Sequence, residues 1–432
     1  MPKKVVVIGG GIAGIQASLD LADMGYEVHL VEKTPSIGGR MAQLDKTFPT
    51  NDCSMCILSP KMIMCAGHEN VTLHTYSDVE EVSGQFPHLK VRIKEKARFV
   101  DINRCTGCGD CIAKCPVKVP DEFEQKLSSR KSIYLPFPQA VPRKVTIDAE
   151  TCRMIKSGKC GVCKKVCQAG AIQYDQKDKL IEIDASAIVV ATGFDLMDAS
   201  ALPQYGYGSC KDVVASLQFE RILSASGPTG GHLVRPSDGS TPKRLAFIQC
   251  VGSRDEKKHK YCSSVCCMYA TKESILAREH VPDIETTIFY MDMRAVGKGF
   301  QEFVQRAEKN YGVRYVRSRP AKVQSAGGDK GVLVTYETRG LAGEQVTEEF
   351  DLLVLCPALL PSKGSKSLAK LLGLELDEDD FLKAKDMRHP VDSTRKGVLV
   401  CGFASAPMDI PDSVAQASGV AARVAELLQG GE

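Results

Sequence analysis

Hydrophobic positions along the chain fall into short unbroken runs separated by stretches of helical spacing. Val5-Val6-Val7-Ile8 leads into a glycine turn, Gly9 to Gly14, and then into the helix-like segment Ile15 to Met24. An apolar run of four to eight residues bounded by glycine reads as a buried strand. A second strand is predicted at Tyr26 to Val31, completing a βαβ unit of ordinary size. The pattern then breaks: residues 101 to 180 are rich in Cys, Lys and Pro and have little helical periodicity. Strands resume at Leu180 to Ile183 and Ala187 to Val190, the latter closing with Ala191-Thr192-Gly193. A Gly/Ser/Pro-rich stretch, Ser224 to Thr241, reads as a loop or linker. Beyond it, strands are predicted at Arg244 to Gln249, Thr286 to Met291, Val332 to Glu337, Leu352 to Leu355 and Gly397 to Val400. Helices are predicted at Ser264 to Arg278, Gly299 to Tyr311 and Asp412 to Leu428.

At 432 residues, the chain is too long for one core, so two or three domains are expected. The net charge of +3 and the lack of a long basic run give no support for nucleic-acid binding. No apolar stretch approaches the roughly 20 residues that span a bilayer. The N-terminus runs straight into a strand, without the apolar region and cleavage site of a signal peptide, so a cytoplasmic location is expected. The 18 cysteines change the picture most, because most of them are clustered. Clustered cysteines in a cytosolic chain indicate metal or redox chemistry.

Gly9-x-Gly11-x-x-Gly14 follows a strand and opens a helix. The first glycine makes the turn, the second admits a pyrophosphate, and the third lets helix and strand pack closely. Ile12 and Ala13 lie at the helix N-terminus, where free N–H groups and the positive dipole end face a phosphate. Glu32, 18 residues after Gly14, is placed to accept hydrogen bonds from a ribose. Strand, helix and acid in register make a chance glycine triplet a poor explanation. Three later features select FAD over NAD. They are Gly38-Gly39-Arg40 after the acid (with Lys33 beside it), the strand end Ala191-Thr192-Gly193, and Val400-Cys401-Gly402-Phe403 with Asp409. These features resemble the thioredoxin-reductase-like flavoproteins, whose fold pairs two dinucleotide-binding domains. The resemblance implies that Asp409 reaches the ribityl phosphate region. One departure stands out: the middle-domain strand runs into Cys250-Val251-Gly252-Ser253-Arg254 with no second glycine fingerprint. Poor binding of NAD(P)H is therefore expected.

The insert carries Cys105-x2-Cys108-x2-Cys111-x3-Cys115-Pro116, one half of a bacterial two-cluster ferredoxin pattern. Its second half is Cys152-x7-Cys160-x2-Cys163-x3-Cys167. The fourth cysteine of each half crosses to the other cluster. One [4Fe–4S] cluster is thus expected on Cys105, Cys108, Cys111 and Cys167, the other on Cys115, Cys160 and Cys163 with Cys152. The long gap after Cys152 makes it the weakest assignment. A zinc ribbon would leave the Cys-Pro pattern unexplained. Lys114, Lys118, Lys164 and Lys165 flank the motif, as a solvated face or as a docking surface for an acidic partner.

A further group, Cys250-x11-Cys262-x3-Cys266-Cys267, has no standard ferredoxin spacing. On a helix Cys262 and Cys266 would share a face. On spacing alone, a third cluster and a set of buried structural thiols both fit. The runs Gln249 to Arg254 and Tyr261 to Cys267 are similar to the A-subunit of heterodisulfide reductase and its bacterial relatives. So are Asp52 to Met62 and Ile133 to Pro142, and the resemblance spans residues 5 to 417. It implies that Cys250, Cys262, Cys266 and Cys267 hold a [4Fe–4S] cluster near the flavin. It also implies that Lys272, a surface lysine by sequence alone, approaches the isoalloxazine and stabilises reduced, anionic flavin. The chain lacks the C-terminal ferredoxin domain of the full-length archaeal protein, so another subunit is expected to supply that electron route. Cys53, Cys56 and Cys65 are read as structural or unassigned, and Cys210, Cys356 and Cys401 as buried spectators.

The expected plan is an α/β two-dinucleotide-binding-domain flavoprotein with an inserted bacterial-type ferredoxin domain. FAD-binding segments are expected at 1–100, 181–240 and 346–432, and the ferredoxin insert at 101–180. A degenerate NAD(P)-type domain carrying a four-cysteine cluster is expected at 241–345. The function implied is that of an electron-transfer subunit of a heterodisulfide-reductase-like complex, with FAD and three [4Fe–4S] clusters. The flavin would be the site of electron bifurcation or confurcation. Expected partners are the complex's other subunits and ferredoxin, hydrogenase or flavin-type donor subunits, in a dimer of complexes. Two rivals are a feeding module for a quinone-linked, sulfur-metabolism or aromatic acyl-CoA reductase, and a stand-alone ferredoxin-dependent flavin reductase. With only 8 histidines, none in a motif, the last has little support.

Overall fold

The computed structural model describes residues 3–328, 331–338 and 343–429. Its contacts divide the chain into two compact units. The first comprises Met1–Ala42, Cys56–Phe194 and Pro361–Glu432; the second comprises Gln43–Met55 and Asp195–Leu360. The expected boundaries at 240 and 345 therefore fall inside the second unit. The Gly/Ser/Pro-rich stretch that suggested a linker is a loop of this unit, fastened where Arg235 ion-pairs with buried Asp212 at 2.7 Å.

The first unit is built on a seven-stranded sheet. Its order is Ala384–Asp386, His389–Ser393, Val398–Val400, Ala187–Val190, Lys4–Ile8, Glu27–Glu32 and Val71–Thr75. The last five run parallel, with Lys4–Ile8 at their centre pairing Val6 with both Ile188 and His29. Val5, Val6 and Val7 are fully buried, as expected of a parallel strand covered on both faces. Helix Ile12–Asp23 packs against the last helix, Ile410–Gln429. A three-stranded antiparallel sheet is made by Ser77–Gln85, His88–Glu95 and Lys179–Ala185. In its middle strand Leu89, Val91 and Ile93 face inward between exposed residues, the period-2 pattern of a half-buried strand. Lys179 pairs with Glu95, so the chain leaves for the insert and returns at one register position. The insert has its own small core, in which cysteines pack with Val100, Ile133, Val145, Ile147 and Ile172.

The second unit has a five-stranded parallel sheet. Its order is Val213–Ala215, Leu352–Pro357, Arg244–Val251, Glu285–Tyr290 and Arg314–Arg317. A three-stranded antiparallel sheet, Lys322–Ser325, Val332–Glu337 and Gln345–Phe350, packs into the same core. Helix Phe300–Tyr311 buries Phe300, Phe303, Val304 and Ala307, the i, i+3, i+4, i+7 face of an amphipathic helix. Helix Cys266–His280 is buried along most of its length. It starts two residues later than the periodicity predicts, because Ser264 has φ +63°, where a helix cannot run through. Cys262 therefore lies outside the helix, and the expected shared helical face with Cys266 is not formed. Among the described residues, no helix is long and apolar enough to cross a membrane.

Candidate functional site

The glycine turn is shaped by close approach. A Cβ on Gly9, at φ +110°, would lie 2.3 Å from the Ala191 carbonyl oxygen, and one on Gly14 would lie 1.9 Å from that of Gly9. Gly11 caps helix Ile12–Asp23 with no side-chain cap, and a Cβ there would meet nothing within 4 Å. The N–H groups of the first helical turn, including Ile12 and Ala13, thus face an open space. Buried Glu32 accepts the Gly10 N–H at 2.7 Å through one oxygen, and the Thr34 N–H and hydroxyl, both at 2.8 Å, through the other. It fixes the turn, and a carboxylate has acceptor sites beyond those three.

Around this turn the structure gathers most of the expected residues. Gly39, at φ +57°, lies so close to Gly11 that its Cβ would sit 2.8 Å from the Gly11 Cα. Arg40 donates to the Phe194 carbonyl at 3.3 Å. Gly402, at φ +65°, sits against Ala13 and donates its N–H to Gln416 Oε1 at 2.7 Å. Gln416 had no sequence signal, being a lone amide in a helix. Gly193 takes φ +66°, and the neighbouring Thr192 hydroxyl is buried with no protein partner. A buried orphan hydroxyl beside an open helix N-terminus is what a dinucleotide would complete, so the residues fit FAD. Lys33 is exposed, and Asp409 accepts the Asp412 N–H at 2.9 Å, capping the last helix.

In the insert, the eight cysteines lie close together around one small core. Burial pushes the Cys111 thiol up to about 12, and the neighbouring sulfurs of Cys105, Cys108, Cys163 and Cys167 add to this. Cys115, Cys152, Cys160 and Cys163 line one cavity together. The long gap after Cys152 is taken up by a one-turn helix, Arg153–Ser157, which Cys152 caps and Gly158 ends in a left-handed conformation. Burial raises the Cys163 thiol, while the Tyr174 hydroxyl at 3.0 Å pulls it down. No three His, Cys, Asp or Glu among the described residues are gathered tightly enough for a single metal ion. Four cysteine thiolates per cluster are the donors that an iron–sulfur cube takes, so the chemistry of these residues fits cubes.

In the second unit, Cys250, Cys266 and Cys267 are buried and adjoin one another. The Cys266 thiol, together with Arg254, holds Cys250 down at about 6. Cys267 accepts the Arg294 N–H at 3.4 Å. Cys262 is partly exposed and accepts the Ser264 N–H at 3.4 Å. Gly252, at φ +79°, packs on Met197, whose sulfur would lie 2.5 Å from a Cβ there. The turn after this strand is thus filled by a side chain, unlike the open space at Gly11.

Lys272 is not at the surface. It is 1% exposed and ion-paired to Glu220, itself 2% exposed, and it also donates to the Lys46 carbonyl at 2.9 Å. Sequence reasoning missed Glu220; its only signal was a charge inside the apolar run Leu217 to Leu223. Cys53 and Cys56 are exposed and disulfide-bonded. Cys65, Cys356 and Cys401 are buried thiols and Cys210 is partly buried.

The sheet topology and the glycine turn define a flavoprotein of the two-dinucleotide-binding-domain type. Residues 4–52 match the FAD dependent oxidoreductase family. The fold is similar to thioredoxin reductase from Lactococcus lactis (TM-score 0.54, 15% identity, 99% of each chain covered) and from T. acidophilum (TM-score 0.54, 13% identity, 98% of each). In sequence the chain is 48% identical to the A-subunit of the H(2):CoB-CoM heterodisulfide,ferredoxin reductase of Methanothermobacter thermautotrophicus, over 99% of this chain and 64% of that protein. It is 50% identical to the iron-sulfur A-subunit of the CoB--CoM heterodisulfide reductase of Methanocaldococcus jannaschii, over 98% and 64%. With the protein of Archaeoglobus profundus that is likened to the heterodisulfide reductase A-subunit it shares 42% identity, over 100% and 67%. The chain belongs to the heterodisulfide reductase A-subunit family. It spans about two thirds of the length of these relatives.

Proposed function

We propose that this chain is the FAD and [4Fe–4S] electron-transfer subunit of a heterodisulfide-reductase-like complex. The observation that carries this reading is that one compact unit holds both a dinucleotide cradle and an eight-cysteine insert. FAD would rest on the turn Gly9 to Gly14, with Thr192, Gly193, Gly39, Arg40 and Gly402 around it and Glu32 bracing the turn. Bound there, FAD supplies the exchange between electron pairs and single electrons, which bifurcation and confurcation both require.

The chain's own residues do the rest. Cys105, Cys108, Cys111 and Cys167 hold one cluster, and Cys115, Cys152, Cys160 and Cys163 hold a second. Cys250, Cys266 and Cys267 hold a third, with Cys262 closing the set. By resemblance to the family, Lys272, ion-paired to Glu220, is the cation that serves the flavin. The filled turn at Gly252 supports the reading that electrons do not enter from NAD(P)H. Disulfide chemistry belongs to partner subunits, and a ferredoxin, hydrogenase or flavin-type protein is the donor. The experiment is anaerobic purification with flavin and iron counting and EPR. One FAD and roughly twelve irons per chain are expected; roughly four irons, or no flavin, would overturn the reading.

A further inference from the structure

Behind Lys272 lies a second acid that no motif marks. Glu273, next in the same helix, is 1% exposed, and its Oε2 has no hydrogen-bond partner. Its carboxyl is within hydrogen-bonding reach of Glu220. Glu220 uses one oxygen for Lys272 and the other for the Asp45 N–H at 3.0 Å. Two buried carboxylates therefore share one ammonium. Fully ionised, the group would carry a net buried negative charge with one oxygen unsolvated, an arrangement a protein interior disfavours. Two carboxyls in contact relieve this by keeping one proton between them.

The surrounding charges identify the acid that keeps it. Lys272 faces Glu220 directly. Glu273 is flanked by half-buried Tyr269 on its own helix and by buried Cys356 on strand Leu352–Pro357, neither of which supplies a cation. Asp45 is half-buried, with Lys46 beside it, and Lys46 itself pairs with Glu279 at 3.1 Å. Arg221, on the Glu220 helix, donates to the Gln43 carbonyl at 3.3 Å. Glu273 is as deeply buried as Glu220 and has less compensation, since its Oε2 has no partner.

We propose that Glu273 carries a proton at neutral pH and passes it to Glu220 when Lys272 turns to another anion, so that the three side chains form one buried proton store. In that step the O–H bond of Glu273 breaks and one on Glu220 forms, with no electron gained or lost. Negative charge arriving near Lys272 draws the ammonium away, Glu220 loses its counter-ion, and the proton on Glu273 replaces it. Glu273 is thus a positioning residue, acting on Lys272 through Glu220. The resting proton stands on this geometry alone, whereas the transfer rests on the proposal that Lys272 faces the flavin.

Infrared spectroscopy of the full chain tests both parts. At pH 7 the resting protein is expected to show a protonated-carboxyl C=O band that shifts with 13C-labelled glutamate. The band is expected to be lost in Glu273→Gln and kept in Glu273→Asp and Asp45→Asn. Absence of the band from the wild type, or its persistence in Glu273→Gln, overturns the proposal; the labelled wild type gives that answer even if a variant fails to fold. On reduction the band is expected to move, and Glu220→Gln to abolish the movement. A band that stays put while Lys272→Met shifts the flavin potential rules out the transfer. A Lys272→Met variant with an unshifted flavin potential rules out the Lys272 reading instead and leaves the resting proton standing on its own band.

Discussion

The Tyr174 hydroxyl lies 3.0 Å from Cys163 Sγ, in the insert where Cys163 shares a cavity with Cys115, Cys152 and Cys160. A hydrogen bond to a cluster sulfur withdraws negative charge and so stabilises the reduced cluster, raising its potential. Tyr174→Phe should lower the potential of this cluster by about 40 mV, the one-electron equivalent of a hydrogen bond of about 1 kcal/mol. An EPR-monitored redox titration reads the shift. An unmoved potential would show that the hydroxyl leaves the sulfur once the cluster is present.

Gly11 separates binding from folding. Its φ of −77° suits any residue, and an added Cβ would have open space. Gly11→Ala should fold as the wild type does and lose FAD affinity by tenfold or more, about 1.4 kcal/mol. Gly14→Ala, whose Cβ would lie 1.9 Å from a carbonyl oxygen, should instead destabilise the chain by about 1–3 kcal/mol with or without flavin. Flavin retention and thermal unfolding of the two variants check this together. Full flavin content in Gly11→Ala would place the pyrophosphate elsewhere.

What the sequence disclosed and what it hid follow one rule. The turn Gly9 to Gly14 is legible because backbone contact with Ala191 forbids any other residue at Gly9, leaving a fixed spacing. The insert is legible because a cube dictates its ligand spacing. The role of Cys152 is blurred because seven residues fold into a helical turn that spacing alone does not reveal. The helix at Cys266 reads too long because a positive φ at Ser264 leaves no mark on hydrophobic periodicity. Lys272 looks like a surface residue because the acid that buries it lies 52 positions away. Partners distant in sequence, each an ordinary charged residue, carry no local pattern.

Thr192 offers a test in which stability and binding move in opposite directions. Its buried hydroxyl has no protein partner, which costs roughly 1–3 kcal/mol when nothing else meets it. Thr192→Val should therefore stabilise the flavin-free chain by about 1 kcal/mol and weaken FAD binding about five- to tenfold. Denaturant unfolding without flavin, set against flavin titration, measures both. Loss of stability without flavin would mean that the hydroxyl already has a partner.

Cys152 can be set against Cys65. Cys152 lines the cavity shared by three other cysteines, whereas Cys65 is a solitary buried thiol pushed up to about 12 by burial. Cys152→Ala should cost roughly four irons per chain and one EPR signal, and Cys65→Ala none. Equal iron in the two variants would remove Cys152 from the ligand set.

The last prediction concerns pH. Burial and the neighbouring Glu220 raise Glu273 well above the ordinary carboxylate range. In the unfolded chain the same group ionises near pH 4.3. Above that pH the folded state keeps a proton that the unfolded state has released, so unfolding becomes easier as pH rises. The stabilisation is complete below the unfolded value and is lost progressively up to the folded one, at about 1.4 kcal/mol per pH unit for one proton. Glu273→Gln mimics the protonated acid at every pH and should flatten this dependence between pH 6 and 8. The variant should already exceed the wild type at pH 6, by a margin that grows toward pH 8. Denaturant midpoints at pH 6, 7 and 8, with flavin content held constant, read the difference. Parallel curves for the two proteins would mean that Glu273 is already ionised in the folded chain.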